Sequence, residues 1–517
     1  MSKNLYYIFL ITIAIVWSSC RKDFETEPSN GNLEFSRDTV FLDTVFTNVG
    51  SATYTLRVYN QSNNDIRIPT VRLGFGQESR YRLNVDGVAG KEFENIEILA
   101  KDSIFIFIET TVDIDEFITT GTQFLYNDAI EFDSGERQQE VALVTLVQDA
   151  VFLFPQRFDD GTIETVPLGL DENGNEVRIQ GFFLEEDELL FTNEKPYVVY
   201  GYAAVSPGHT LTMEPGVRVH FHENSGLLVG NNASLVINGE LSTDRELLEN
   251  EVIFEGDRLE PEFSDIPGQW GTIWLATGST DHQINHLTIK NATVGILTDA
   301  NQEGTPALSI KNSQIHNASN VGLWGRNASI YGENLVVGNA GQLSFYGNSG
   351  GRYQFKHSTF ANYWRNGFRE FPAVLVDNFV DLGNNNIISN DLEAALFENC
   401  IIYGSNDLEF FADGVAENTL NYKLDHCLIR FNDFSGRFTD DPRFDFSNVT
   451  LYENIFLNED PDFLNTRIHD FRIGENSAAI ARGDVSVANE VPLDILGVTR
   501  TASPDLGAFE SITAHNN

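Results

Sequence analysis

The stretch ALFENCIIYG, residues 395–404, is an apolar run broken at its centre by Glu398, Asn399 and Cys400. Its pattern recurs. Downstream of residue 280 the phrases LTIKNATV, LSIKNSQI, IYGENLVV, YQFKHSTF, VLVDNFVD, ALFENCII, YKLDHCLI and TLYENIFL set one polar residue at the same point. These residues are Asn291, Asn312, Asn334, His357, Asn378, Asn399, His426 and Asn454, at intervals of 21, 22, 23, 21, 21, 27 and 28. Short β-rich phrases with a period near 22 imply stacked coils, none able to close a core alone.

Parity within the phrases places the bend. Positions four and two before the polar residue are mostly apolar, as in Leu287 and Ile289, Leu308 and Ile310, or Tyr353 and Phe355. After it the inward positions move to one and three later, as in Leu335 and Val337, Cys400 and Ile402, or Cys427 and Ile429. A period of two that slips by one residue requires a turn, and Asn and His are among the non-glycine residues that enter the left-handed region most readily. Coils stacked about 4.8 Å apart would let each amide donate to the next, forming a ladder. Cys400 and Cys427 then fall on equivalent inward positions of neighbouring coils, as a buried thiol stack.

The residue before each turn is charged, running Lys290, Lys311, Glu333, Lys356, Asp377, Glu398, Asp425, Glu453. An outward row is expected, with its late members acidic. Calcium on Asp377, Glu398 and Asp425 is the one metal site this row suggests, and a solvated row is the plainer reading. No other cofactor is expected.

Composition narrows the partners. The 517 residues carry a formal charge of −43, which argues against duplex nucleic acid and suits an extracellular surface. Disorder is not implied, since 12% of the residues are aromatic. The N-terminus supplies an address. MSKNLYYIFLITIAIVWSSC has Lys3, an apolar stretch and small residues before Cys20, the layout of an export signal. Its Ser-Ser-Cys ending resembles a bacterial lipobox, which implies cleavage before Cys20 and acylation of its sulfur. The following RKDFETE resembles the export tag of surface lipoproteins in the Bacteroidota, which implies a lipid-anchored protein on the outer face of the outer membrane.

Residues 33–150 alternate apolar and polar positions between turns, consistent with a sandwich of about seven strands. TNVGSATYTLRVYNQSNNDIRI resembles the Ig-like modules that act as spacers in bacterial surface proteins. TLTMEPGVRVHFHENSGLLVGNNASLVINGEL and PGQWGTIWLATGS resemble the opening coils of pectate-lyase-like right-handed parallel β-helix proteins. DPDF, HDFRIGENSAAI and SPDLGAFE resemble their terminal segment, which implies a cap on the open end. The expected class is therefore all-β, an Ig-like β-sandwich followed by a right-handed parallel β-helix. Its segments are a signal peptide (1–19), a lipidated tether (20–32), the sandwich (33–150), a connector with a hairpin (151–205), the β-helix (206–465) and a C-terminal cap (466–517).

Chemistry is less legible. FYGNSGGRYQFKHSTFANYWRNGFREF, residues 345–371, crowds aromatic and basic residues, and Tyr363, Trp364, Arg365, Phe368 and Arg369 suit a glycan groove on a lateral excursion. A polysaccharide lyase would need a base beside a cation that neutralises the substrate carboxylate. Lys356 with Arg352 or Arg365 is the cluster to test. The Gly-His-Gly of pectin-type hydrolases is missing from the sequence, Asp440 and Asp441 are adjacent and so fall on opposite faces of an extended chain, and phosphate loops, zinc signatures and nucleophile elbows are missing too. The leading expectation is non-catalytic: glycan binding, adhesion or a structural role at the surface. A lyase or hydrolase acting on the outer face is the alternative.

Overall fold

The computed structural model describes residues 26–29, 31–170, 174–300, 307–383, 386–500 and 502–511. The signal peptide, Cys20 and the first part of the tether lie outside the described residues. The chain is all-β and divides into two units, one ending at Asp149 and one beginning at Ala150.

In the first unit a six-stranded and a five-stranded sheet share one core. Alternation puts it there. Val40 and Leu42, Leu56 and Val58, Ile106 and Ile108, and Val141 and Leu143 are at most 1% exposed, whereas the residues between them are more open. Pairing is mostly antiparallel, but Thr39–Phe46 runs parallel to Gln139–Gln148. The strands outnumber the expected seven because several, such as Glu34–Phe35 and Val88–Gly90, are only two or three residues long.

In the second unit the chain visits three stacks of parallel strands in turn. The first stack includes Val294–Thr298, Val374–Asp377 and Phe410–Asp413, and the second includes Leu308–Lys311, Leu392–Glu398 and Leu420–Asp425. Both belong to one 18-stranded sheet, because Val321–Glu333 and Leu343–Lys356 run through both stacks. The third stack is a parallel sheet of 11 strands, from Val151–Leu153 to Phe456–Leu457. Residues 151–205, expected as a connector, already form part of this stacking. Val151–Leu153, Glu176–Phe183 and Leu190–Phe191 each pair in parallel with the following coil. The expected hairpin is present as Thr165–Leu170 against Glu176–Phe183.

The corners explain the repeat. Between second and third stacks stand His286, Asn312, Asn334, His357, Asn399, His426 and Asn454, with φ from 44° to 56°. Six of these seven carry the recurring phrase. Asn291 instead belongs to the corner between third and first stacks, with Asn317, Asn339 and Asn458, at φ from 55° to 62°. Two corners about five residues apart both favour Asn, so a period near 22 does not distinguish them. Asn378 marks neither corner. It follows the first-stack strand Val374–Asp377 and ties down a loop through Val415 N and the Val415 and Asn418 carbonyls.

The expected ladder forms only in part. Asn334 Nδ2 donates to Asn312 Oδ1 at 2.9 Å, Asn312 Nδ2 to Asn285 Oδ1 at 2.9 Å, and Asn399 Nδ2 to His357 Nε2 at 2.9 Å. A second run joins Asn317 Nδ2 to Asn291 Oδ1 at 2.8 Å. Each bond contributes about 1 kcal/mol net, and an orphaned buried amide costs about 1–3 kcal/mol. Cys400 and Cys427 are free, fully buried thiols in one core, with Sγ donating to the carbonyls of Phe355 and Phe397. Burial, with Cys400 beside it, pushes the Cys427 thiol well up.

Desolvated histidines make the coils acid-sensitive, since burial lowers the pKa of His220, His282, His286, His316 and His357 alike. His282 is 0% exposed; its Nδ1 accepts from Leu235 N at 3.1 Å, so the proton sits on Nε2, 3.0 Å from Ser279 Oγ. Burial lowers its pKa from 6.5 to about 4. The neutral form is favoured in the fold, so the contribution is complete above pH 6.5 and is lost as pH falls towards 4. It amounts to about 3 kcal/mol. Chemical denaturation across that window should show the loss, and His282→Gln should reduce it by that share, the other desolvated histidines keeping theirs. An unchanged slope in the variant would count against this assignment.

The tail does not cap the open end. The first stack stops at Phe410–Asp413, and there Phe431, Phe438 and Phe444 cluster with centroids 5.1–6.2 Å apart and join the central core. Residues 459–511 instead run back along the outside of the third stack. Phe471, Ile495 and Phe509 cover Val336 and Ala361, while Ile473, Ala479 and Leu506 cover Ile401 and Leu428. The LGAF turn needs its glycine: at Gly507, φ 86°, an added Cβ would lie 2.6 Å from Thr359 Oγ1 and 2.8 Å from Ile401 Cδ1.

Candidate functional site

The outward row is realised in six of the eight charges. Lys311, Glu333, Lys356, Glu398, Asp425 and Glu453 are direct partners on successive second-stack strands. Lys290 ends a third-stack strand and Asp377 a first-stack strand. The row is cross-linked by its own Lys311 and by Lys423 beside it. Lys311 meets Glu333 at 2.9 Å, and Lys423 meets Asp425 at 3.1 Å and Glu453 at 2.6 Å. Glu398 accepts from Gln354 at 2.9 Å. Asp377 is therefore separated from Glu398 and Asp425, and among the described residues no three such side chains converge as a metal centre.

The residues considered for catalysis are not brought together either. Lys356 is buried against Glu490, and Arg352, two turns of the pleat away on the same strand, pairs with Glu393 in solvent. Arg365 stands exposed on an excursion after the third-stack strand Thr359–Asn362. His357, at a corner and 0% exposed, acts in the ladder.

The excursion separates its own residues. Phe368 is 86% exposed and Trp364 half-buried, but Tyr363 packs against Phe463 of the tail at 6.1 Å. Arg369 faces inward and holds Glu409. Where the excursion returns to the first stack, Phe371 and Pro372 form one wall of a groove of 620 Å³.

The groove floor is built by register. Trp324, Tyr346, Leu375 and Phe411 are direct partners on four adjoining first-stack strands. Their neighbours Leu323, Phe345, Val374 and Phe410 are fully buried, so the pleat turns all four floor residues outward. Trp324 and Tyr346 lie nearly parallel, 5.7 Å apart and 19° inclined. The far walls are Phe379 and Val380 from the hairpin Phe379–Asp381/Ile387–Ser389, with Arg437 and Phe438 opposite. Two residues further along each strand pair, Asp377 and Asp413 face each other across adjacent strands at the groove edge.

Asp377 is held tightly. Its Oδ1 accepts from Ser349 N at 2.7 Å and Asn348 Nδ2 at 3.0 Å, and its Oδ2 from Tyr346 Oη at 2.9 Å. Burial raises its pKa, and these donors draw it partly back. The same burial and the adjacent Asp377 carboxylate push the Tyr346 phenol far up, so it remains a neutral donor. Asp413 is paired with Arg443, whose other partner is Asp441. The floor therefore offers ring faces and its rim offers fixed acceptors.

The sequence held a signal for this floor. VGLWGR, LSFYGN, AVLVD and EFFAD all set a large apolar residue between two inward ones, just before a small or acidic residue. The recurring polar phrase drew attention to the wrong end of each coil.

No family model matches this chain, and no curated protein matches it. A family 123 glycoside hydrolase from Clostridium perfringens aligns at a TM-score of 0.16 and 10% identity, over 23% of this chain and 26% of that one. The ASH/PapD-like domain of human CEP192 aligns at 0.15 and 10%, over 24% of this chain and 89% of that domain. The E. coli chaperone DraB aligns at 0.16 and 11%, over 24% of this chain and 58% of the chaperone. At these scores the likenesses bear on neither the architecture nor the activity.

Proposed function

We propose that this is a lipid-anchored protein of the outer membrane surface, of Bacteroidota type, that holds extracellular glycan without cleaving it. Its first unit is read as an Ig-like β-sandwich serving as spacer. Its second unit is read as a right-handed parallel β-helix. Three parallel stacks with left-handed corners support that reading, and parallel crossovers are right-handed in about 98% of cases. Acylated Cys20 supplies the anchor, and no cofactor enters the reading.

The observation that carries the binding role is the in-register floor of Trp324, Tyr346, Leu375 and Phe411 within a walled groove. Sugars present apolar C–H faces that stack on aromatic rings, and their hydroxyls need fixed polar partners at the edge. Both are present side by side. A lyase acting on uronates would require cations at the reacting carboxylate, whereas this rim is acidic.

Trp324→Ala should weaken retention in polysaccharide affinity gels at least tenfold, about 1.4 kcal/mol. Cells expressing the Cys20→Ala chain should lose surface capture of glycan-coated beads while the released protein still binds. Indifference of every tested polysaccharide to the wild-type chain would leave the groove without this role, and new reducing ends or unsaturated products would replace binding with catalysis.

A further inference from the structure

We infer that the groove selects a neutral, extended β-linked glycan lying across the first-stack strands, one sugar per coil, and rejects uronate and sulfated polymers. This rests on the glycan reading above and adds the class and orientation of the ligand.

Charge decides the class. Glu370, Asp377, Asp381 and Asp413 line the groove, and Arg437 is the cation among its described lining residues. Arg443 compensates Asp413 and also pairs with Asp441, so the groove carboxylates without an ion-paired cation among the described residues are Glu370, Asp377 and Asp381. An anionic sugar would bring its charge against these carboxylates in a partly enclosed space, where water screens less than in bulk. The whole chain, at −43, adds repulsion during approach. A neutral sugar meets the opposite situation. Its hydroxyls donate to carboxylate oxygens, and charge-assisted bonds of this kind are the stronger ones.

Spacing decides the orientation. The floor residues follow one another at the strand separation of about 4.8 Å, close to the length of one pyranose in an extended β-linked chain. A chain running along the stack therefore places successive rings over Trp324, Tyr346, Leu375 and Phe411. A chain running along a strand would leave the ring floor after one sugar, because the position two places further along each strand carries a polar residue, Arg326, Asn348, Asp377 or Asp413.

The test is calorimetric titration of the full chain with β-1,4- and β-1,3-linked neutral oligosaccharides of one to six units, against oligogalacturonates and chondroitin sulfate fragments. At least one neutral series should bind, tighten up to four units and then level off, and lose at least tenfold in Trp324→Ala. The acidic series should bind at least tenfold more weakly, and Glu370→Lys/Asp381→Lys, two exposed changes, should narrow that gap. Tighter binding of an acidic series that is still abolished by Trp324→Ala would overturn the inference and leave the glycan reading standing. Failure of both series to bind would remove both. Affinity that does not change between one and four units would overturn the orientation.

Discussion

Arg369→Met is expected to lower folding stability by about 3–5 kcal/mol, the usual cost of leaving one member of a buried ion pair alone. The Arg369 and Glu409 side chains are 3% and 0% exposed. Both guanidinium Nη atoms donate to Glu409, and they also reach the carbonyls of Asn362 and Phe371 at 3.0 and 2.8 Å. Glu409 further accepts from Ala373 N at 2.8 Å and Asn406 N at 2.7 Å. Removing Arg369 would strand a carboxylate that burial already pushes towards the protonated form. The defect should therefore shrink as pH falls, because a protonated Glu409 needs no counter-charge. Arg369→Met/Glu409→Leu should recover only part of the loss, since it removes the unpaired charge but leaves Ala373 N and Asn406 N without their acceptor. Urea denaturation of the three proteins at pH 5 and pH 8 provides the check. A single variant within about 1 kcal/mol of wild type, below the range for broken buried pairs, would mean that Glu409 is not held by this arginine. Binding should suffer as well, since this pair anchors the segment that carries Phe371 into the groove.

The sequence made Arg369 look like a ligand contact because its partner lies 40 residues away and no local pattern joins them. What was legible follows from local rules. Left-handed corners need Asn or His, and the pleat fixes which neighbours face inward, so the coils, the buried cysteines and six of the corner residues could be read one phrase at a time, whereas the bonds between corners could not. What was missed depends on what covers the coil from outside. Leu335, Val336 and Val337, like Cys400, Ile401 and Ile402, are apolar at both parities, and all are at most 1% exposed. A strand apolar on both faces is covered on both faces. That signal was present in ALFENCIIYG itself, and it pointed to the tail lying along the third stack rather than across its end. The floor of the groove shows the converse. Trp324, Tyr346 and Phe411 break the alternation on a face that no other part of the described chain fully covers.

Arg500→Met should release the tail from the third stack. The Arg500 and Glu510 side chains are 0% and 2% exposed, with Nη1 donating to Glu510 Oε1 at 2.7 Å. Its Nη2 donates to Asn334 Oδ1 at 2.7 Å, where the ladder would otherwise have continued to His357. One guanidinium thus joins the tail to a corner of the coils, and the interruption of the ladder at Asn334 is the consequence of that clasp. Breaking it is expected to cost about 3–5 kcal/mol. Burial and the neighbouring Asp505 raise the Glu510 pKa from 4.5 to about 6. The fold therefore holds this proton more strongly than the unfolded chain, and the contribution of Glu510 is most favourable below pH 4.5 and declines as pH rises through 6. The variant should accordingly be less impaired at pH 5 than at pH 8. Limited proteolysis separates loss of the tail from loss of the fold: at pH 8 the variant should be cut first between residues 459 and 511, leaving a resistant fragment that contains the coils. Cleavage of wild type and variant at equal rates, or simultaneous digestion of coils and tail, would show that Arg500 does not act as the clasp between them.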